Sequence, residues 1–167
     1  PDYYATLAEA DPHVWTDPNN VMIWVDNIER ALAAADPDNA EAYRQNAQAY
    51  RAELEALDGW VREQVAQVPE ERRKLVTDHL VFGYFAERYG FEQLGSLAPG
   101  TSTLAEPSAR QLAELEDAIR AAGVPVIFVG NTVSPDLAER VAQDTGTRVV
   151  RLWTGSLSDA GGPASTY

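Results

Sequence analysis

The chain has 167 residues, 45% of them hydrophobic and 23% charged, which is the profile of one globular domain, or one domain with extra pieces, and not of a disordered chain. A net charge of −13, from 26 acidic against 13 basic residues, repels phosphate backbones and argues against nucleic acid as a partner. With no cysteine there is no disulfide, thiolate metal site or cysteine nucleophile, and no run approaches the roughly 18 apolar residues of a membrane span.

The first twenty residues are turn-rich. Asp11-Pro12 and Asp17-Pro18 bracket His13-Val14-Trp15-Thr16. A residue before proline is pushed away from helix, so this piece is expected to be extended. A helix is expected from about Asn20 to Ala35, with Val21, Trp24, Val25, Ile28 and Leu32 on one apolar face. Asp36-Pro37 ends it. Tyr43, Ala47, Tyr50, Leu54, Leu57, Val61, Val65 and Val68 then alternate steps of four and three. That pattern predicts one long amphipathic helix over 39–68, about 45 Å in length, either a coiled coil or a strut.

From Lys74 the pattern becomes α/β. Strands are expected at Lys74–Thr77, Phe91–Leu97, Val124–Val129 and Arg148–Leu152. Helices are expected at Leu80–Tyr89 with Gly90 as stop, after a capping box at Ser108–Gln111, and after Ser134-Pro135. Strands separated by helices of this length imply βαβ units. The predicted fold is an α/β domain with about four parallel strands and helices on both faces, preceded by the long amphipathic helix.

Ligands of open parallel sheets bind beyond the carboxyl ends of the strands. There the sequence offers Asp78-His79, Gly130-Asn131 and Trp153-Thr154-Gly155-Ser156, which should converge on one crevice. His79 is one of only two histidines, and imidazole suits zinc, copper, nickel and iron. His13 lies in the proline-fixed segment. No local spacing rule links the two, so a shared site is only a suggestion at this level. Asp78 is expected to face away from His79, because neighbours on a strand point to opposite faces. Trp15, Trp24, Trp60 and Trp153 are expected to pack rather than bind. No GxGxxG, Walker A or GxSxG pattern occurs.

Two stretches carry more. Residues 11–18 read DPHVWTDP and residues 76–85 read VTDHLVFGYF. Together they resemble the zinc/manganese substrate-binding proteins of bacterial ABC importers, the cluster A-I family. GTSTLAEPSARQL (100–112), VIFVGNTVSPDLAERVAQDTG (126–146) and SLSDAGGPASTY (156–167) extend the resemblance to nearly the whole chain. It implies two α/β domains joined by one rigid helix, with the metal in the cleft between them. The domain expectation is then a remnant of the N-terminal domain over 1–38, the linker helix over 39–68, and a C-terminal α/β domain over 69–167 that lacks its last helix. Both ends read as cuts within a longer protein.

By the same resemblance His13 and His79 match metal ligands, and no catalytic or cofactor-binding residue is implied. Histidine at position 79 looks zinc-type, where manganese-type members often carry glutamate. Gly155 stands where the family commonly has a carboxylate; Asp159 is a weak substitute. With two of four ligands at best, the chain should bind metal weakly, and none need be bound to it. The implied role is non-enzymatic. It is extracytoplasmic capture of a divalent ion, zinc or alternatively manganese, for an ABC permease, with membrane association only through an N-terminal anchor outside the chain. A surface adhesin, to which the long helix is suited, and a metal-dependent hydrolase, to which an open coordination position is suited, are the alternatives of another class.

Overall fold

A computed structural model describes residues 11–102 and 106–167. The opening Pro1-Asp2-Tyr3-Tyr4 and the centre of the 100–112 stretch lie outside the described residues. The chain forms two compact units: Val14–Pro69, and Glu70–Tyr167 together with the segment ending at His13.

The first unit is a helical hairpin. Helix α1 spans Pro18–Ala35, and helix α2 spans Ala40–Ala66. Asp17, expected to close an extended piece, instead opens α1: its side chain accepts from the Asn19 amide, and Pro18 takes the first helical position. Asp17 itself is extended, as its proline demands, but Val14–Thr16 form a 3-10 turn rather than an extended piece. At about 1.5 Å per residue α2 is about 40 Å long. The Asn19 side chain donates to Asp58 at 2.9 Å and Arg51 reaches Asp26 at 2.7 Å. Contacts thus run in opposite order along the two helices, which are antiparallel.

Only part of the expected apolar face is covered. Val21 and Leu54 are buried, but Trp24, Ile28 and Leu32 are exposed. Each helix of a hairpin has a single partner, too little to bury a wide stripe. Trp60 and Trp153 are exposed as well, contrary to the packing expected of them.

The second unit is the α/β fold. Its elements are β1 (Lys74–Thr77), α3 (Gly83–Tyr89), β2 (Glu92–Ser96), α4 (Ala109–Ala122), β3 (Val126–Gly130), α5 (Asp136–Thr145) and β4 (Arg148–Leu152). The four strands are parallel in the order β2-β1-β3-β4. Right-handed crossovers put α3 on one face of this sheet and α4 and α5 on the other. The core lies on the second face, where Val76, Ile127 and Val129 pack with Leu115, Ile119, Ala138 and Val141. Gly95 makes this contact close: a Cβ there would sit 2.6 Å from Leu115 Cδ1.

Helix ends follow the local chemistry. Gly90, Gly123 and Gly146 all take the left-handed conformation at helix C-termini. Ser108 and Gln111 form the capping box. α5 starts one residue later than expected: Pro135, not Ser134, takes the cap position, and the Ser134 hydroxyl accepts from the Asp136 amide at 3.3 Å. The helix expected from Leu80 begins later, at Gly83. Residues 78–82 turn instead, with the Val81 amide donating to the His79 carbonyl at 2.8 Å.

Candidate metal centre

β1 delivers Asp78 and His79 to the carboxyl edge of the sheet. The Asp78 backbone remains in the sheet. Its amide donates to the Phe128 carbonyl at 3.0 Å, and its carbonyl accepts from Ala98 at 2.7 Å. The regular strand stops at Thr77, however. The buried Thr77 hydroxyl donates to the His79 carbonyl at 2.6 Å and accepts from Gln93 Nε2 at 3.0 Å. The chain bends there, and side-chain alternation lapses with it. Asp78 therefore does not face away. Its Oδ2 accepts from His79 Nδ1 at 2.7 Å, and its Oδ1 accepts from the Gly130 amide at 3.2 Å.

His13 is held by the same device. Asp11 Oδ1 accepts from the His13 amide at 2.9 Å and from its Nδ1 at 2.7 Å. The first bond is an Asx turn, in which a short carboxylate side chain binds the backbone two residues on. The Tyr84 hydroxyl donates to the Asp11 carbonyl at 3.1 Å, tying this segment to α3.

The two imidazoles meet. Their Nε2 atoms are 3.1 Å apart, the ring centroids are 4.9 Å apart, and the planes are inclined at 63°. All four side chains are buried: Asp11, His13, Asp78 and His79 are each less than a tenth exposed. When Nδ1 donates to a carboxylate, the neutral ring carries its lone pair on Nε2. Two such lone pairs aimed at one point repel each other unless a proton or a cation lies between them. This donor set is nitrogen at the front and carboxylate behind. It is the arrangement that fixes tautomer and ring orientation in histidine metal sites.

The tip of β3 bonds to Asp78 through Gly130 and to the tip of β4 through Asn131. The Asn131 side chain accepts from the Thr154 amide at 3.3 Å and donates to the Ser156 hydroxyl at 2.6 Å. The three expected tips thus converge. Gly155 is exposed, and a Cβ on it would meet the Thr132 hydroxyl at 3.1 Å. Asp159 is exposed in a turn, its backbone carbonyl accepting from Gly162 at 2.9 Å. Among the described residues no group of three or more histidine, cysteine, aspartate or glutamate side chains gathers as a metal-ligand set. The histidines form a pair, and Asp159 does not join it. The sequence alone did not point to Asp11 or Tyr84, and it turned Asp78 away from the histidine it holds. An Asp two residues before His13, in a turn-rich segment, was the one signal available.

Residues 3–167 match the family described as zinc-uptake complex component A, periplasmic (ZnuA). The chain belongs to this family. Its relatives include the iron-binding protein YfeA of Yersinia pestis, 38% identical over 95% of this chain and 50% of that protein. The zinc-binding protein TroA of Treponema pallidum is 37% identical over 95% of this chain and 52% of that protein. The solved structure of TroA superposes with a TM-score of 0.87, covering 99% of this chain and 62% of that one at 32% identity. The laminin binding protein Lmb of Streptococcus agalactiae, described as having adhesin and metal transporting activity, gives a TM-score of 0.84 at 33% identity over 93% of this chain and 59% of that one. This ZnuA-family chain spans about half the length of the curated relatives it matches.

Proposed function

We propose that the chain is the C-terminal part of an extracytoplasmic ZnuA-family protein that captures a divalent metal ion and passes it to an ABC importer permease. In this reading His13 and His79 ligate the ion through Nε2. Residues 39–68 act as the linker helix and 69–167 as the C-terminal domain. The observation that carries it is the pair of facing Nε2 atoms, each imidazole backed by a buried carboxylate. Zinc–nitrogen bonds of about 2.0–2.1 Å would place one ion on both atoms at a ligand–metal–ligand angle of about 100°, close to tetrahedral. A dication also brings two positive charges to a cluster with two carboxylates, offsetting the cost of burying them.

Zinc is the cargo this donor set favours. Two imidazoles suit zinc better than manganese, which prefers oxygen ligands. Relatives named for iron, manganese and zinc all occur, so the metal is decided by titration. The remaining ligands then come from the length of the relatives that this chain does not span. Relatives and solved neighbours carry names of metal-binding and transport proteins, and some of adhesins, which favours capture over catalysis.

Calorimetric titration of the 167-residue chain with zinc and with manganese tests this. The expected result is one zinc per chain, bound at micromolar strength or weaker, with manganese at least ten-fold weaker. No zinc binding at millimolar concentration, or equal binding by a His13→Ala/His79→Ala chain, rules the reading out. Submicromolar zinc binding contradicts the two-ligand count.

A further inference from the structure

We propose that Gly130, at the end of β3, is a positioning residue for His79, acting through its amide and through the space left by its missing side chain. The inference rests on the metal-capture reading only for its consequence; its geometry stands apart from it. Gly130 donates its N–H to Asp78 Oδ1 at 3.2 Å, while Asp78 Oδ2 holds His79 Nδ1 at 2.7 Å. The amide therefore turns the carboxylate plane, and the carboxylate turns the imidazole.

Space, not backbone conformation, asks for glycine here, since Gly130 is not among the positive-φ glycines. A Cβ at this position would lie 2.4 Å from Thr154 Oγ1 and 3.7 Å from Asp78 Oδ2. The first distance is far inside van der Waals contact. The Thr154 backbone is held, because its amide donates to the Asn131 side chain at 3.3 Å and the Asn131 amide donates to the Leu152 carbonyl at 2.8 Å. With that backbone held, an added methyl either turns the Thr154 hydroxyl away or pushes the end of β3 back. Retreat of β3 lengthens the bond from Gly130 to Asp78 and frees the carboxylate to rotate. The packing of Thr154 and the aim of His79 are thereby coupled through one absent methyl group.

The test compares Gly130→Ala, Thr154→Ala and Gly130→Ala/Thr154→Ala in the 167-residue chain. Two quantities are read: the proton resonance of His79 Nδ1 in metal-free protein by NMR, and the zinc dissociation constant. Gly130→Ala should shift or broaden the His79 resonance and weaken zinc binding at least ten-fold. The double variant should return to the values of Thr154→Ala, because the clash is removed with the hydroxyl. An unchanged His79 resonance in Gly130→Ala, or a double variant no better than Gly130→Ala, overturns the proposal. If Gly130→Ala does not fold, the double variant decides alone: recovery of the Thr154→Ala values supports the clash, and failure to fold overturns it. If the parent chain binds no zinc, the capture reading falls, while the His79 resonance still decides the role of Gly130.

Discussion

His13 Nε2 and His79 Nε2 lie 3.1 Å apart, although 66 positions separate the two residues. The histidines come from different segments, and each is turned by its own aspartate. Asp11 lies two positions before His13, and Asp78 immediately precedes His79. The meeting point is therefore set by two local devices and one long-range approach.

The two aspartates should matter nearly as much as the ligands. Asp11→Asn and Asp78→Asn keep the shape but remove the charge that holds Nδ1–H. Loss of such a partner typically lowers metal affinity about 10–100-fold. Zinc titration of each variant, with far-ultraviolet circular dichroism as the folding control, measures this. Wild-type affinity in either variant would show that the carboxylate behind that ring is dispensable.

Gly95 tests the packing of α4 on the sheet. Its Cβ would stand 2.6 Å from Leu115 Cδ1 in a buried cluster. Gly95→Ala should cost about 1–3 kcal/mol by overpacking. Shortening the neighbour in Gly95→Ala/Leu115→Val should recover part of that loss. Urea unfolding midpoints decide, and an unchanged midpoint for Gly95→Ala contradicts the close approach.

The hairpin unit should respond to acid at Asp36. The Asn39 side chain, and after it the Tyr43 hydroxyl, donate to the Asp36 carboxylate and hold its pKa below the ordinary value of 3.8. A group with a lowered folded pKa contributes stability that is present above its unfolded value and is lost as pH falls through the folded one. Stability should thus decline from about pH 4 downward. Asp36→Asn should flatten that limb while leaving the neutral-pH slope alone. Melting curves recorded from neutral to strongly acidic pH check this; superimposable profiles for the two chains would remove Asp36 from the explanation.

Much of the fold was legible because local chemistry agrees with it. Lys74–Thr77 and Arg148–Leu152 form strands at the expected residues, and the expected stop Gly90 takes the left-handed conformation. The start of α1 was missed although Asp17-Pro18 has the same cap-then-proline logic as Ser134-Pro135. Two aspartate–proline pairs in one short segment made the turn reading compete with it. The start of α3 was placed too early because residues 80–82 are apolar. Their backbone is claimed instead by bonds such as that from Leu80 to the Gly100 carbonyl at 2.9 Å.

At the candidate site, the histidines were legible and their partners were not. The strand rule that turned Asp78 away from His79 holds only inside a strand, and β1 ends one residue earlier. Asp11 and Tyr84 act through contacts that no periodicity encodes. The approach of His13 to His79 is tertiary, and only the family motifs hinted at it.

The most direct test of the shared centre is nitrogen-15 NMR of the two histidine rings during zinc addition. With one ion held between them, Nε2 of His13 and Nε2 of His79 shift together and saturate at one equivalent, while both Nδ1 atoms stay protonated. A response confined to one ring, or metal bound at Nδ1, would contradict a site built from both.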